Sequence, residues 1–168
     1  MSDDSMVTVV SKDKVEIKVS LRAIQQSITI GTMLSVLDAT KTAGQSIPVP
    51  AVTGRILTKV VEWCEHHRED PVATVDATGH SSHDDLKVTE MPAWDAEFFN
   101  IIDKNMVLHI INAANYLEIP LLQQYGCKTM ASRIKGKTTE EMRALLNIEN
   151  DLTPEEEEKI RKENAFQA

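Results

Sequence analysis

Three places in this 168-residue sequence gather side chains that could do chemistry. Cys64-Glu65-His66-His67 sets a thiol, a carboxylate and two imidazoles in succession, His80 and His83 stand close together, and Glu155 to Glu158 form an unbroken run of carboxylates. The first two groups would suit a metal, and the third a cation or an acid–base pair. Their spacings argue against each use. Adjacent histidines on a helix point about 100° apart, whereas helix-borne zinc pairs sit at i and i+4. His66-His67 therefore reads as an exposed polar helix end. His80 and His83 have ligand-like spacing but no second pair to complete a structural zinc site. The glutamate run lacks the alternating ligands and turn glycine of a calcium loop, and nothing in it separates two carboxylate pKa values for acid–base work. Gly136, between Lys135 and Lys137, has neither the preceding strand nor the glycine spacing of a phosphate loop. There is no Gly-x-Ser-x-Gly elbow, Walker loop or dinucleotide-binding turn. No catalytic residue, metal or cofactor is expected, and the chain does not read as an enzyme.

The carboxylates find a structural use instead. Thr138 precedes Glu141 by three residues and Thr153 precedes Glu156 by three, so each pair can form a capping box at a helix start. Pro154 falls at the first helical position, where its missing N–H is harmless, and Glu155 to Glu158 place negative charge against the positive end of the helix dipole. Met142, Leu145 and Leu146 supply apolar residues at helical spacing, but Ile160 and Phe166 are almost the only large apolar groups after Leu152. Two short helices with so little to bury depend on packing against something else, which implies ordering by a partner.

Upstream, the elements are those of a mixed domain. Met6 to Val10 and Val15 to Val19 are β-branched runs that suggest a hairpin. Leu21 to Gln26 and Ile30 to Leu37 read as short helices, with Ser20 and then Ser27 or Thr29 as starts. Ile47 to Val49 is a third strand, placed at an edge by Pro48 and Pro50. From Thr53 to His67, the residues Ile56, Leu57, Val60, Val61 and Cys64 mark one face of a core helix that Pro71 stops. Residues 72–90 carry Gly79 and many polar residues without periodicity and read as a mobile surface loop.

Ala93 to Asn100 is a short helix with aromatic anchors, and Asp103 or Asn105 caps the next one. That helix, Met106 to Leu117, sets Val107, Ile110, Ile111, Ala114 and Leu117 on one face and Leu108, Asn112 and Asn115 on another. An apolar Leu108 beside two amides suggests a contact surface. Ile119 to Ile134, closed by Gly136, has more apolar positions than one inner face requires, so part of it should meet a partner.

A hydrophobic content of 42% supports a real core, and the length suits one domain with an appended module. A formal net charge of −8 and the lack of a basic stripe argue against nucleic-acid binding. Cys64 and Cys127 form no Cys-x-x-Cys motif, and both are expected to be buried thiols. No run approaches the ~18 apolar residues of a membrane span, and Met1 to Asp4 carry no targeting signal, so a cytoplasmic and nuclear protein is expected.

Longer motifs carry a specific likeness. Val61-Glu62-Trp63-Cys64-Glu65-His66-His67-Arg68-Glu69-Asp70-Pro71, Pro92-Ala93-Trp94-Asp95-Ala96-Glu97-Phe98, Ala113-Ala114-Asn115-Tyr116-Leu117 and the capped terminal blocks occur in one order along nearly the whole chain. Together they resemble the Skp-one family, the adaptor subunits of SCF-type cullin–RING ubiquitin ligases. The resemblance implies an α/β fold: a BTB/POZ domain over residues 5–134 that binds the N-terminal region of a cullin, and through it a RING protein and E2. It also implies a helical extension, 135–168, that acts with 115–134 to bind F-box proteins. It places Asn115 and Tyr116 at the cullin, and Leu108 and Asn112 share that helical face by spacing and are expected to join them. The F-box side comprises Leu122, Met130, Ile134, Lys135, Gly136, Lys137, Leu146, Asn147, Ile148, Asn150, Asp151, Ile160, Lys162, Glu163, Asn164 and Phe166.

The chain departs from its relatives at Thr139, where many have proline, at Phe166, where tryptophan is usual, and in Pro120-Leu121-Leu122-Gln123-Gln124-Tyr125. The loop from Asp38 to Ser46 is also less acidic than usual. A competing expectation is a self-associating BTB-type scaffold, a homodimer through the F-box-binding face. An elongin C-like adaptor would leave the capped terminal helices unexplained.

Overall fold

The computed structural model describes residues 5–36, 46–72 and 90–164. The chain separates into two compact units, residues 1–133 and 134–168.

The first unit is built on a three-stranded sheet in the order β2-β1-β3. Strands β1 (Met6–Ser11) and β2 (Glu16–Ser20) pair antiparallel, with Met6 opposite Ser20 and Val10 opposite Glu16. Val7, Val9 and Val19 are buried, as the period of two requires. Strand β3 (Ser46–Val49) lies parallel to β1 at an edge, where the donor missing from Pro48 is tolerated.

The hairpin turn also starts a distant helix. The Ser11 hydroxyl donates to Asp13 Oδ1 at 2.6 Å, and the same oxygen accepts the Gly54 N–H at 2.6 Å at the start of α3 (Gly54–His66). These two bonds, Ser11 first, lower the Asp13 pKa. Thr53, at the capping position of α3, makes no side-chain cap bond, so Asp13 does that work from 41 residues away. A Cβ on Gly54 would stand 2.7 Å from the Val15 side chain, so only glycine admits this close approach.

Two short helices follow the hairpin. Ser20 caps α1 (Leu21–Ile24) by accepting from Ala23 N, while Glu65 of α3 accepts both the Ser20 N–H and its hydroxyl. Ser27 accepts from Ile30 N at the start of α2 (Ile28–Val36) and donates to the Leu117 carbonyl. On α3 the expected stripe of Ile56, Leu57, Val60, Val61 and Cys64 is buried, together with Trp63. Burial pushes the Cys64 thiol up to about 12, helped by the charge of Glu65, so it is an inert core group.

Beyond the described gap come α4 (Ala93–Asn100), α5 (Lys104–Tyr116) and α6 (Pro120–Ile134). Asp103 caps α5, accepting from Asn105 N and Met106 N at 3.0 Å each. Pro120 occupies the first position of α6. Helices α5 and α6 approach closely at Gly126, where a Cβ would lie 2.6 Å from Ile111 Cγ1. Arg133, in the last turn of α6, donates to the Phe99 carbonyl at the end of α4 and to the Ile102 carbonyl just beyond it.

Two sequence expectations fail here. Cys127 is exposed, because the buried stripe of α6 runs through Leu122, Tyr125, Gly126 and Met130 and turns Cys127 outward. His67 is not part of an exposed helix end: it is 6% exposed, with carboxylates against both ring nitrogens. The helix has already ended at His66, which lets the His67 ring leave the helical direction and turn inward. His80, His83 and almost all of the expected 72–90 loop lie outside the described residues, as do most of the loop from Asp38 to Ser46 and Phe166.

The second unit contains α7 (Thr139–Leu146) and α8 (Pro154–Asn164). Both expected capping boxes form. Thr138 accepts from Glu141 N while Glu141 accepts from Thr138 N, and Thr153 and Glu156 make the same exchange.

Candidate protein-binding surfaces

On the first unit, the candidate surface is the outer face of α5. Its position follows from the opposite face, where Met106, Val107, Ile110, Ala113 and Ala114 are buried. That burial leaves Asn112, Asn115 and Tyr116 exposed and Leu108 half-buried. Tyr116 is 41% exposed, a large aromatic available to an anchor contact. Gln123 Nε2 donates to Asn115 Oδ1 at 3.4 Å, steadying that amide from α6.

Beside this face lies a half-open cavity of about 330 Å³ that the residue spacing of α5 could not reveal. Asn112, Tyr116 and His109 line one side, and Ala51, Val52, Thr53 and Ile56 line the other. The second group comes from the turn after β3 and the start of α3. Asn112 carried a sequence signal as a contact residue, its i, i+4 spacing from Leu108, and Tyr116 followed from the family resemblance; the other lining residues reach the site through the fold.

On the second unit, none of the described residues is buried. Ile148 is 55% and Ile160 42% exposed, while Met142, Leu145, Leu146 and Leu152 are half-buried. A polar clamp holds the helices instead of a core. Arg143 Nη1 on α7 meets Glu157 Oε1 on α8 at 3.0 Å, and Asn150 Nδ2 donates to the same oxygen at 2.8 Å. Asn150 and then Arg143 hold the Glu157 carboxyl below its ordinary range. Asn147 ends α7 in the left-handed region at φ 54°, a conformation asparagine tolerates better than most residues, and Ile148 N closes back on the Arg143 carbonyl. Leu152 and Ile160 line a cavity of about 280 Å³ between the two helices. Arg143 was not singled out in sequence and Glu157 only as part of the Glu155 to Glu158 run, since nothing in a 14-residue separation signals a pair.

The remaining expected positions divide by burial. Lys135, Gly136, Lys137, Asn147, Asn150, Asp151, Lys162, Glu163 and Asn164 are exposed, and Ile134 and Leu146 are half-buried. Lys162 pairs with Glu158 at 3.2 Å. Gly136 adopts φ 76° after the end of α6, as its terminating role predicted. Leu122 and Met130 must be removed from the exposed set. They are 0% and 5% exposed, because their spacing at i and i+8 puts them on the same side of α6 as Gly126, whose neighbours are Ile111 and Phe99.

Among the described residues no group of three His, Cys, Asp or Glu side chains is placed to hold a metal ion. No described helix is long and apolar enough to cross a membrane.

Two stretches of the chain match known family patterns. Residues 5–69 match the model of the Skp1 family tetramerisation domain, and residues 120–166 match that of the Skp1 family dimerisation domain. The chain belongs to the Skp1 family. The small sheet and its helices are accordingly the family's POZ fold.

Among Skp1-family relatives, the protein named E3 ubiquitin ligase complex SCF subunit sconC of Arthroderma otae is 45% identical over 96% of this chain and 94% of its own length. The sconC protein of Talaromyces marneffei is 42% identical over 95% of each chain. A Skp1-related protein of Caenorhabditis elegans is 42% identical over 99% of this chain and 98% of its own.

Proposed function

We propose that this protein is a non-enzymatic adaptor of an SCF-type E3 ubiquitin ligase. It links the N-terminal region of a cullin, with its RING protein and E2, to interchangeable F-box substrate receptors, and so promotes ubiquitin-dependent degradation. The observation that carries this reading is a second unit with two well-capped helices and no buried residue among those described, in a chain aligned almost end to end with proteins named as SCF subunits. A unit of this kind gains its missing apolar contacts from a partner.

In this reading the cullin meets Leu108, Asn112, Asn115 and Tyr116. The F-box meets Ile134 to Lys137, Leu146 to Ile148, Asn150, Asp151, Ile160 and Lys162 to Asn164, with Phe166 as a further aromatic contact. Ile148 and Ile160 act as anchors, while the Lys and carboxylate rim favours specificity and association rate. The test is paired capture on full-length protein. Asn115→Lys with Tyr116→Lys should abolish recovery of the cullin and leave F-box binding intact. Unchanged cullin recovery would refute the assignment of that face.

The match of residues 120–166 to a domain described as a dimerisation domain favours one second reading, self-association through the same exposed apolar groups. Sedimentation across a concentration series separates the two. Dissociation on adding an F-box motif supports the adaptor, and dimers that persist with F-box bound, with no cullin recruitment, support a scaffold.

A further inference from the structure

Among the described residues, the His67 ring is the best-anchored imidazole. It stacks on Trp63, with centroids 4.0 Å apart. Its Nδ1 lies 2.5 Å from Asp70 Oδ2, and its Nε2 lies 3.1 Å from Asp95 Oδ1. Asp95, on the first turn of α4, is completely buried, and the same Oδ1 accepts the Trp63 indole N–H at 2.7 Å. One carboxylate oxygen of α4 therefore holds two rings of the α3 segment. The backbone here is fixed as well: Gln26 Nε2 donates to the carbonyls of His67 and Asp70 at 2.8 and 3.0 Å.

This geometry has a protonation requirement. A neutral imidazole has one N–H and one lone pair, while an ionised carboxylate offers only lone pairs. With a carboxylate oxygen against each nitrogen, a neutral ring would set lone pair against lone pair on one side. The imidazolium donates on both sides, and it also supplies positive charge beside a carboxylate that has no water access. Burial opposes that charge. The hydrogen bonds and charges of Asp95 and Asp70 outweigh it, and the net shift of the His67 pKa is upward. The other groups facing the cluster are His66, edge-on at 5.0 Å, Trp94 at 5.8 Å, and Tyr125 of α6. The Tyr125 hydroxyl is raised first by burial and then by Asp95 and Asp70, and it stays neutral throughout the histidine range.

We propose that His67 is a proton-operated latch: as an imidazolium it ties α4, through Asp95, to Asp70 and the end of α3, and loss of its proton loosens α4. Phe99, in the last turn of α4, and Ile102, just beyond it, accept Arg133 of α6, so loosening α4 also weakens the seat of that arginine. The latch stands on the first unit alone and does not depend on the adaptor reading.

The experiment uses full-length protein labelled with ¹⁵N, following the His67 ring nitrogens and the amide protection factors of α4 and α5 from pH 5.5 to pH 9. His67 should titrate with a midpoint above ~6.5, the value of an unperturbed imidazole. Protection of the α4 amides should fall at least about threefold through that same midpoint while α5 stays constant, the signature of a local opening. Asp95→Asn should lower the His67 midpoint and flatten the α4 response; if that variant does not fold, the unmodified protein decides the question alone. A His67 midpoint at or below the unperturbed value, or α4 protection that ignores pH, would overturn the latch.

Discussion

The two units reach order by different routes. In the first, every element contributes to a shared apolar interior, and every buried hydrophobic residue of the described chain lies between Val7 and Met130. In the second, α7 and α8 are held by capping boxes, a left-handed turn at Asn147 and the Arg143–Glu157–Asn150 clamp, with apolar side chains left partly open. Polar contacts that fix helix ends specify where helices start and stop, but each contributes only about 0.5–2 kcal/mol. Burial of apolar surface does the larger work, at roughly 25 cal/mol per Å². A unit rich in the first and poor in the second is shaped and yet unfilled, which suits a surface that another protein completes.

Substitutions at matched apolar positions break this comparison most directly. Leu57, completely buried on α3, should cost about 2–5 kcal/mol as Leu57→Ala, measured by chemical denaturation. Ile148→Ala, at a site 55% exposed, should change stability by no more than ~0.5 kcal/mol and yet weaken F-box binding about tenfold in titration. If Ile148→Ala destabilised the fold as much as Leu57→Ala, the contrast would collapse.

A smaller effect is expected at Gly126. Alanine would gain ~1 kcal/mol of helix propensity, but its Cβ would enter at 2.6 Å from Ile111 Cγ1, on a β-branched side chain that cannot swing aside. Overpacking of about 1–3 kcal/mol should win, giving a lower thermal midpoint for Gly126→Ala. A higher midpoint would mean that α5 and α6 yield more readily than the close contact implies.

The loss of a cap is smaller again. Thr138→Ala removes one half of a capping box and should cost about 1 kcal/mol, seen as faster amide exchange confined to the first turn of α7. Spread of that change into α3 would show that the units share one cooperative transition.

The subtlest difference is in pH dependence, where the α8 carboxylates and the His67 cluster have opposite signs. Bonds from the Thr153 N–H and then its hydroxyl lower the Glu156 carboxyl, and Asn150 followed by Arg143 lowers that of Glu157. Their contribution is present above the unfolded glutamate value, ~4.3, and is lost as pH falls through the lowered folded values. His67 is raised in the fold, so its contribution is complete below ~6.5 and is lost as pH rises through the folded value. Residue-resolved exchange should therefore show α8 loosening toward acid and the His67 neighbourhood loosening toward base. Equal responses at α8 and around His67 would remove the distinction.

The elements of this protein were largely legible in its sequence because their signals are local. β-Branched runs gave β1 and β2, prolines placed β3 at an edge, 3.6-residue periodicity gave α3 and α5, and threonine–glutamate pairs marked α7 and α8. The outer face of α5 was legible for the same reason: Leu108, Asn112 and Asn115 oppose a clear apolar stripe.

What tertiary structure alone decided is where side chains distant in sequence meet. Asp13 starts α3 from the hairpin, Arg143 finds Glu157, and the turn from Ala51 to Thr53 joins His109 and Tyr116 around one cavity. Leu122 and Met130 went to the interior and Cys127 to the surface because the packing of Gly126 against Ile111 set the rotation of α6, which its own weak amphipathic pattern left open. His67 moved from an expected surface to a buried ion cluster because Asp95, 28 residues later, was brought against it. Periodicity and capping act within one or two turns of chain and are written in the sequence. Burial and electrostatic partnership depend on neighbours that only the completed fold assembles.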